Sequence, residues 1–434
     1  MSESGEGLFY FWKGIIMQPL YNEFINFLED KTNICLNLRE GMYWIDNHAI
    51  KAFDKKGTSH TIYKYRVDDD LNVFIESKED ILEFETWEET VERNKLRIEI
   101  MAEDSIEFIQ KTFQEYEGYD FFVLTSTGKD STVVLDLVNR IKPIQVVFNN
   151  TSLDCAGTYK IAKSHKDWII TNPIEGFYQY IERMQYIPSK MSRGCCSLFK
   201  EGNHIEHFQN KINKAVWFMG IRNDESNKRA DRKDYTVNPK WEGLNWIGCL
   251  PIRKWTEYMV WLYILQRNLE VNPKYKQGYR RCGCHVACPY QSEYSWVLDE
   301  YFYPNMRNRW TNILKENFIE REIWYKLNCT QSEYIKCWNG GIYREKPTDE
   351  VIQEFMNYKG ITDVEIAKQY FNKRCEICNK NINDVNLIAM NLKMIGRDTK
   401  VFYCKNHLKK ELKINDRQYD KLIGDFKSEG CSLF

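Results

Sequence analysis

The sequence predicts an α/β protein in which a parallel-sheet domain follows a small N-terminal α+β module and precedes a C-terminal zinc-binding module. Three observations predict it: apolar strands alternate with helices from residue 119 onward, short strands and a charged helical run precede them, and paired cysteines follow. At about 100–200 residues per domain, a chain of 434 residues holds two to four domains. The expected domains are 1–115, 116–330 and 331–434.

Composition and charge exclude several classes of protein. Hydrophobic residues make up 43% and charged residues 28%, as in a folded globular chain and unlike a disordered or fibrous one. The net charge of −1 provides no overall attraction to nucleic acid or anionic lipid, so such a surface must be local. No apolar run reaches the ~20 residues of a membrane span, and the acidic N-terminus lacks the features of a secretory signal. We therefore expect a cytoplasmic protein without a membrane partner.

The first 115 residues predict an α+β module that leads into a helix. Strand-like stretches cover Gly41–Ile45, Ser59–Tyr65 and Leu71–Ile75, and a charged helical run extends from about Trp87 to Tyr116. The sequence does not indicate what this module does.

From residue 119 the pattern predicts a parallel sheet covered by helices on both faces. The apolar stretches are Asp120–Thr125, Ile144–Phe148 and Ala215–Met219, and helices are expected from Ser131 and near Thr158. Strands that are apolar on both faces and alternate with helices are typical of such sheets.

The stretch from Phe121 to Ser131 joins an apolar strand to a helix through a turn of small residues. Such a turn directs backbone N–H groups and a helix N-terminus toward one point, which suits a polyanion. Gly128 permits close approach, Lys129 adds positive charge, and the hydroxyls of Ser126 and Ser131 can donate hydrogen bonds. Asp130 would be repelled by phosphate, which suggests Mg²⁺ as its partner.

A Walker A loop is excluded, because it requires glycine where Val123 stands and Ser or Thr where Asp130 stands. The pattern Ser-x-Gly-x-Asp-Ser instead resembles that of the PP-loop ATP pyrophosphatases. Later blocks resemble their phosphoadenosine phosphosulfate (PAPS) reductase-like branch; these are Val147–Tyr159, Gly220–Arg229, Pro251–Trp255 and Asn272–Tyr275.

The resemblance implies an adenine nucleotide alpha hydrolase-like fold that binds ATP with Mg²⁺. It implies a nucleotide site formed by Ser126, Thr127, Gly128, Lys129, Ser131, Thr151 and Asp154. The expected catalytic residues are Lys129, Asp130, Ser131, Arg222 and Arg229. The two arginines have planar guanidinium groups suited to phosphate or sulfate, and Glu225 could hold one of them in place.

Five cysteines form two groups in the central region: Cys195 and Cys196, then Cys282, Cys284 and Cys288. Such thiolates could converge on a four-iron cluster, and four of them could also bind zinc. The cluster is favoured, since the pattern resembles that of iron–sulfur adenylylsulfate reductases. The second group departs from their Cys-x-x-Cys spacing, so one thiol is expected to be spare.

Cys375, Cys378, Cys404 and His407 predict a structural zinc site of treble-clef type. A module this small cannot bury a sufficient core without metal. Its lysines could contact phosphates or merely solvate the helix that follows Cys404.

The chain lacks the C-terminal Glu-Cys-Gly-x-His motif with which this family's reductases attack sulfur, although Cys431 could reach the site or be an inert end. It also resembles the ATP pyrophosphatase component of DNA phosphorothioation systems, the DndC-like branch. The predicted function is therefore ATP-dependent sulfur transfer to a phosphate or base of nucleic acid. Expected partners are nucleic acid, a cysteine desulfurase or other sulfur donor, and modification-complex subunits. A sulfonucleotide reductase and a non-catalytic nucleotide-binding regulator of a defence complex are the alternatives.

Overall fold

The computed structural model describes residues 17–68, 70–77, 83–184, 187–190, 194–226, 229–284, 286–339, 344, 346–382, 384–396, 399–429 and 431. The chain divides into two compact units. The first comprises 1–186, 195–285 and 292–303, and the second 187–194, 286–291 and 304–434. The division into three domains stays a prediction.

The first unit begins with an antiparallel sheet of five strands in the order β1-β2-β3-β4-β5. All three strands expected from the sequence are present, and short partners extend them. Ile62 and Tyr65 of β4 are buried in the core cluster that this sheet forms with α1. The elements are β1 (Gln18–Pro19), α1 (Asn22–Thr32), β2 (Tyr43–Asp46), β3 (Ala49–Phe53), β4 (Ser59–Val67) and β5 (Val73–Ser77).

The charged helical run expected after this sheet forms two helices, α2 (Trp87–Arg93) and α3 (Lys95–Glu115). A capping box starts α2: Glu89 N–H donates to Thr86 Oγ1, and Thr86 N–H donates to the Glu89 carboxylate. Asn94 leaves the helical conformation (φ −99°, ψ 3°) and separates the two helices.

A six-stranded sheet follows, in the order β10-β11-β9-β6-β7-β8. Every neighbouring pair is parallel except β10 and β11. This confirms the predicted fold class. The elements are β6 (Asp120–Thr125), α4 (Lys129–Asn139), β7 (Gln145–Asn149), α5 (Ala156–Ser164), β8 (Ile169–Thr171), α6 (Phe177–Met184), α7 (Asn203–Phe208), β9 (Lys214–Met219), β10 (Tyr235–Thr236), β11 (Asn245–Cys249), α8 (Glu257–Arg267), α9 (Pro273–Lys276) and α10 (Glu293–Phe302).

The core beneath the carboxyl end of β6 is fully apolar. Val123 of β6, Val134 of α4, Phe218 of β9 and Trp261 of α8 are each completely buried in one cluster. Burial of each such side chain contributes about 1.5–3 kcal/mol. The packing fixes the start of α4 against the sheet and thereby fixes the loop before it.

The strand order places a switch point beside β6. The chain passes from β6 to β7 and β8 on one side, and β9 and β11 lie on the other side. Connections that leave adjacent strands in opposite directions open a crevice at their carboxyl ends, where open α/β sheets bind ligands. The crevice here lies between the loops after β6 and β9.

His204 of α7 lies in an aromatic cluster with Trp217, Trp241 and Trp246, at ring-centroid distances of 5.1, 6.1 and 6.2 Å. Asn149 Nδ2 lies 3.0 Å from His204 Nδ1. Burial lowers the pKa of His204 to about 4. The imidazole is therefore neutral at physiological pH.

We expect His204 to make stability depend on pH. Its pKa is lower in the folded chain than in the unfolded chain, so its contribution is complete above about pH 6.5 and is lost as the pH falls toward 4. The expected loss is about 3 kcal/mol. Urea unfolding across this pH range should show that His204→Gln flattens the dependence. His207→Gln, on the exposed side of α7, is the control, and an unchanged slope in His204→Gln contradicts this role.

The second unit is helical, and the helical segment expected from Thr348 to about Phe371 forms two helices. One core cluster forms around Phe318, Trp324 and Phe355, and another around Cys375, Met390 and Leu408. Its helices are α11 (Pro304–Glu320), α12 (Gln331–Cys337), α13 (Asp349–Lys359), α14 (Val364–Phe371), α15 (Val385–Met394), α16 (Lys405–Leu412) and α17 (Asp416–Ser428), with a π-helical turn at Trp324–Asn328.

Within the part of the chain that the structure describes, no helix combines the length and apolar character needed to span a membrane.

Candidate active site

The loop between β6 and α4, residues 126–128, is held in a strained conformation. Thr127 has a φ of +56°, which is uncommon for a residue other than glycine. Two contacts hold it there: Thr127 N–H donates to Thr125 Oγ1 (3.0 Å), and Asn272 Nδ2 donates to Thr127 Oγ1 (2.6 Å). Strain of this kind persists at functional sites where surrounding structure enforces it.

The Ser131 hydroxyl closes the loop from the helix side. It donates to Gly128 O (2.9 Å) and accepts a hydrogen bond from Ser126 N–H (3.3 Å). The sequence suggested both serines as phosphate donors. In this structure the Ser131 hydroxyl shapes the loop, and its role as a phosphate donor stays a prediction.

Lys129 and Arg222 are buried cations beside the loop, with 7% and 3% of their surfaces exposed. Lys129 Nζ lies 3.1 Å from one oxygen of Asp130, and Arg222 Nε lies 2.6 Å from the other. Both oxygens of Asp130 therefore face protein cations. The switch-point crevice brings these three residues together from α4 and the loop after β9.

Two further carboxylates complete the charge cluster, and sequence reasoning missed both. Asp224 lies 2.7 Å from Arg222 Nη1, and Glu257 lies 3.4 Å from Lys129 Nζ. Glu257 N–H, at the start of α8, donates to Asp224 Oδ2 (3.0 Å). Two cations face three carboxylates, a formal excess of one negative charge.

Burial and neighbouring charges act in opposite directions on these groups. Burial would raise the pKa of Asp130, but Lys129 and Arg222 outweigh it and hold that pKa below its usual value. Burial would lower the pKa of Lys129, but Asp130 and Glu257 raise it. Burial raises the pKa of Asp224. Lys129 therefore stays charged and available to an anion.

Gly220, immediately after β9, permits the close approach of the loop after β9 to the start of α4. A Cβ atom there would lie 2.5 Å from the carbonyl carbon of Asp130 and 2.6 Å from Ser131 N. Backbone cannot move aside as a flexible side chain can, so only glycine fits.

We expect Gly220→Ala to destabilise the first unit by about 1–3 kcal/mol, because the added methyl group forces β9 away from α4. Urea unfolding of the full chain measures this. Gly424→Ala is the control, since a Cβ there meets nothing within 4 Å. Equal midpoints for both variants would show that the approach is not tight.

The segment Asn272–Tyr275 contacts the loop at residues 126–128 and the start of α4. Asn272 also donates from Nδ2 to Thr158 Oγ1 (2.9 Å), and Lys129 N–H donates to Tyr275 Oη (3.2 Å). Cys282, which is buried, donates from Sγ to Ser126 O (3.3 Å). The sequence made this thiol a candidate metal ligand, and the structure places it against the loop at residues 126–128.

Thr151 and Asp154 follow β7, the strand beside β6. Thr151 Oγ1 donates to Asp154 Oδ2 (2.7 Å), and both residues are buried. Burial raises the pKa of Asp154. The pair stabilises the turn after β7 at the same edge of the sheet as the loop.

Arg229 lies beyond the turn that follows β9. Its guanidinium pairs with Glu225, which also accepts a hydrogen bond from Arg222 N–H (2.9 Å). Glu225 thus holds Arg229, as the sequence suggested for one of the two arginines. Arg229 is less buried than Arg222, and a third of its side chain is exposed.

The other central cysteines lie in two places. Cys195 precedes a π-helical turn at Cys196–Lys200, and Cys195, Cys196 and Cys284 are half-buried in the first unit. Cys288 is half-buried in the second unit. The iron–sulfur cluster stays a prediction for these residues.

The C-terminal group Cys375, Cys378, Cys404 and His407 converges as the sequence predicts. One ligand atom from each lies within 4.8 Å of the others, and Cys378 Sγ and Cys404 Sγ are 3.8 Å apart. Tetrahedral zinc with bonds of 2.3 Å places two sulfurs about 3.8 Å apart. Burial would raise the pKa of Cys375, but backbone N–H groups and His407 lower it to about 6. The group could hold a metal ion.

A mainly parallel sheet with a strained loop and buried cations at its switch point defines an α/β protein. Residues 120–289 match the family model of the phosphoadenosine phosphosulfate reductase domain. This part of the chain is therefore similar to the PAPS reductase domain, which agrees with the resemblance found in the sequence.

Relatives of known sequence match parts of the chain. Two uncharacterised proteins of Methanocaldococcus jannaschii are 29% identical over 259 residues (56% of this chain, 61% of theirs) and 28% identical over 327 residues (70% and 64%). The chain thus spans under two thirds of the length of these relatives. An adenosine 5'-phosphosulfate reductase of Staphylococcus epidermidis is 28% identical over 206 residues, 45% of this chain and 80% of the reductase.

Two solved structures are similar at low scores. A PAPS reductase from Candida auris has a TM-score of 0.34 and 18% identity, with 43% of this chain and 93% of that chain covered. The U34-tRNA thiolase NcsA of Methanococcus maripaludis, solved with its 4Fe-4S cluster, has a TM-score of 0.31 and 16% identity, with 48% and 77% covered. The family match carries the assignment.

Proposed function

We propose that this protein is an ATP-dependent sulfur-transfer enzyme that cleaves ATP between its α and β phosphates and activates a phosphate or base of nucleic acid, as in DNA phosphorothioation. The observation that carries the proposal is the strained loop at residues 126–128 with the buried cations Lys129 and Arg222 beside it. Buried, preorganised cations suit the charge that develops on departing pyrophosphate.

The chemistry proceeds in two displacements. An oxygen of the acceptor forms a bond to the α phosphorus of ATP, and the bond from that phosphorus to the bridging oxygen breaks, so pyrophosphate leaves with the electron pair. A sulfide-level sulfur nucleophile then displaces AMP from the activated acceptor. In this proposal Lys129 binds the pyrophosphate, and Arg222 keeps Asp130 ionised and orients it.

The charge balance of the site favours ATP bound as its magnesium complex. With one negative charge in excess, the cluster would repel free triphosphate, and a divalent cation reverses that balance. Asp224 and Glu257 offer the carboxylate oxygens that Mg²⁺ prefers, whereas Asp130 already faces two protein cations. When bound, Mg²⁺ supplies Lewis-acid stabilisation of the phosphate oxygens.

The remaining parts of the proposal concern sulfur and partners. We assign zinc to the C-terminal Cys₃His group. The central cysteines Cys195, Cys196, Cys284 and Cys288 would hold a 4Fe-4S cluster, which would supply a site for binding sulfur. A cysteine desulfurase or other donor supplies the sulfur, and a thiol reductant supplies the two electrons that bring persulfide sulfur from a desulfurase to the sulfide level. Further modification-complex subunits present the nucleic acid. Anaerobic purification should then yield about four irons and one zinc per chain.

A sulfonucleotide reductase is the second candidate, because a relative carries the name adenosine 5'-phosphosulfate reductase. Cys431 weakens it: this thiol is 4% exposed and packs in the same cluster as Leu408 and Tyr419. Its backbone N–H donates to Phe426 O (2.9 Å), which ties it to the end of α17. Cys431 thus fills the core of the second unit.

The two candidates differ in their products. Incubation with Mg·ATP, sulfide and DNA or RNA should release pyrophosphate and AMP, with faster release when the acceptor is present. Incubation with PAPS or adenylylsulfate and reduced thioredoxin should yield no sulfite. Sulfite without pyrophosphate would identify a reductase, and ATP binding without any product would overturn both candidates.

A further inference from the structure

One cavity in the first unit has a strongly positive lining. Its volume is about 410 Å³, and three cations and one carboxylate line it, a formal charge of +2. The whole chain has a net charge of −1, so this is a local concentration of positive charge. We call it the basic cavity; it is lined by Phe108, Arg232, Lys233, Asp234, Tyr235 and Arg253.

Two of these cations are available to an anion. Arg253 pairs with Asp234 at 2.7 Å, which neutralises one of the three. Within the described residues, Arg232 and Lys233 have no carboxylate oxygen within 4.0 Å. Lys233 is exposed and Arg232 half-buried. Adjacent, solvent-accessible Arg and Lys side chains without a salt bridge commonly bind phosphate groups.

Aromatic rings form the remaining wall. The rings of Phe108 and Tyr235 lie 5.4 Å apart between centroids. The hydroxyl of Tyr235 donates to Glu115 (3.1 Å), which fixes the ring. Proteins that bind single-stranded nucleic acid combine positive charge for the backbone with rings on which bases stack. The basic cavity has both components and the volume for one nucleotide.

The basic cavity is joined to the active site through short backbone contacts. Asn223 N–H, next to Arg222, donates to Arg253 O (2.9 Å). Arg232 N–H donates to Arg229 O (3.2 Å). The segment after β9 therefore holds Arg222 beside the loop at residues 126–128, and hydrogen bonds of its backbone reach residues that line the basic cavity.

We propose that the basic cavity binds a nucleotide of a nucleic-acid strand beside the nucleotide that is modified. This rests on the function proposed above and deepens it, since it identifies the acceptor as a polynucleotide strand and locates part of its binding surface. Arg232 and Lys233 contact backbone phosphates, and the aromatic wall contacts a base.

The test compares two variants of the full chain with equal changes of charge. One carries Arg232→Glu and Lys233→Glu; the control carries Lys163→Glu and Lys166→Glu, at exposed positions in and after α5. Fluorescence anisotropy measures binding of a 20-nucleotide single-stranded DNA, and of RNA of the same sequence, across a range of salt concentrations. Calorimetry measures binding of Mg·ATP to each variant.

We expect the cavity variant to bind the single-stranded DNA, the RNA or both at least about tenfold more weakly than the control variant does. The slope of log affinity against log salt should fall by about 1.4, from two lost phosphate contacts on a single strand. Mg·ATP binding should be unchanged. A loss equal to that of the control overturns the inference, as does equal competition by polyglutamate, which would indicate an acidic protein partner. Failure to bind Mg·ATP in the unmodified chain would instead overturn the proposed function.

Discussion

Replacing Lys129 with methionine should reduce pyrophosphate release from ATP by about a hundredfold or more. Lys129 is buried and charged, and Asp130 and Glu257 direct its ammonium group to the crevice beside the loop. Without it, the charge that develops on departing pyrophosphate loses a neighbouring cation, and the guanidinium of Arg222 already faces Asp130 and Asp224. Initial rates of pyrophosphate formation at saturating Mg·ATP measure the effect.

The same substitution removes the cation that faces Glu257 and one of the two that face Asp130, so it could also destabilise the fold. The double variant Lys129→Met with Glu257→Gln restores the charge balance of the cluster, and Glu257→Gln alone is the control for the loss of a carboxylate proposed for Mg²⁺. We expect this variant to recover the urea midpoint of the unmodified protein but not its activity. Recovery of activity along with stability would show that Lys129 acts only in the fold.

Removal of the zinc that we assign to the C-terminal Cys₃His group should unfold the end of the second unit. The free energy of zinc binding in small zinc modules is about 10–16 kcal/mol, comparable to the whole stability of a domain. The ligands Cys375 and Cys404 belong to the core cluster that also contains Leu408, so loss of metal exposes that core. Hydrogen exchange in α15 and α16, before and after chelation, should show protection that disappears with the zinc.

Cys375→Ser should produce the same loss of protection without a chelator, together with loss of zinc from the purified protein. Cys35→Ser is the control, because Cys35 is exposed and lies in the first unit. Retention of one zinc and of full protection in Cys375→Ser would rule out this site as a structural metal centre.

The elements that the sequence predicted best are those whose pattern is local. The strand at Asp120–Thr125 has the predicted bounds, and its neighbours at Gln145–Asn149 and Lys214–Met219 differ from prediction by one residue. Continuous apolar runs bounded by small residues define these strands. Short partners such as β8 and β10 have only two or three residues, too few for a periodic signal.

The part of the site that the sequence predicted is likewise the part encoded by a local motif. The loop and Lys129 belong to one continuous motif, whereas Glu257 and Asn272 reach the loop from more than a hundred residues away. Nothing in the local sequence of Glu257 indicates that contact. Asp224 and Asn272 both stand inside blocks that resemble the family, and those blocks were the signals available.

Calorimetric comparison of Mg·ATP with AMP tests the central claim most directly, since the two ligands share the adenosine and α phosphate and differ in the phosphates that the loop is proposed to bind. We predict that ATP binds at least about tenfold more tightly than AMP, a difference of about 1.4 kcal/mol or more, and that Lys129→Met with Glu257→Gln abolishes the difference. Equal affinities for ATP and AMP, or binding of neither, would contradict the account.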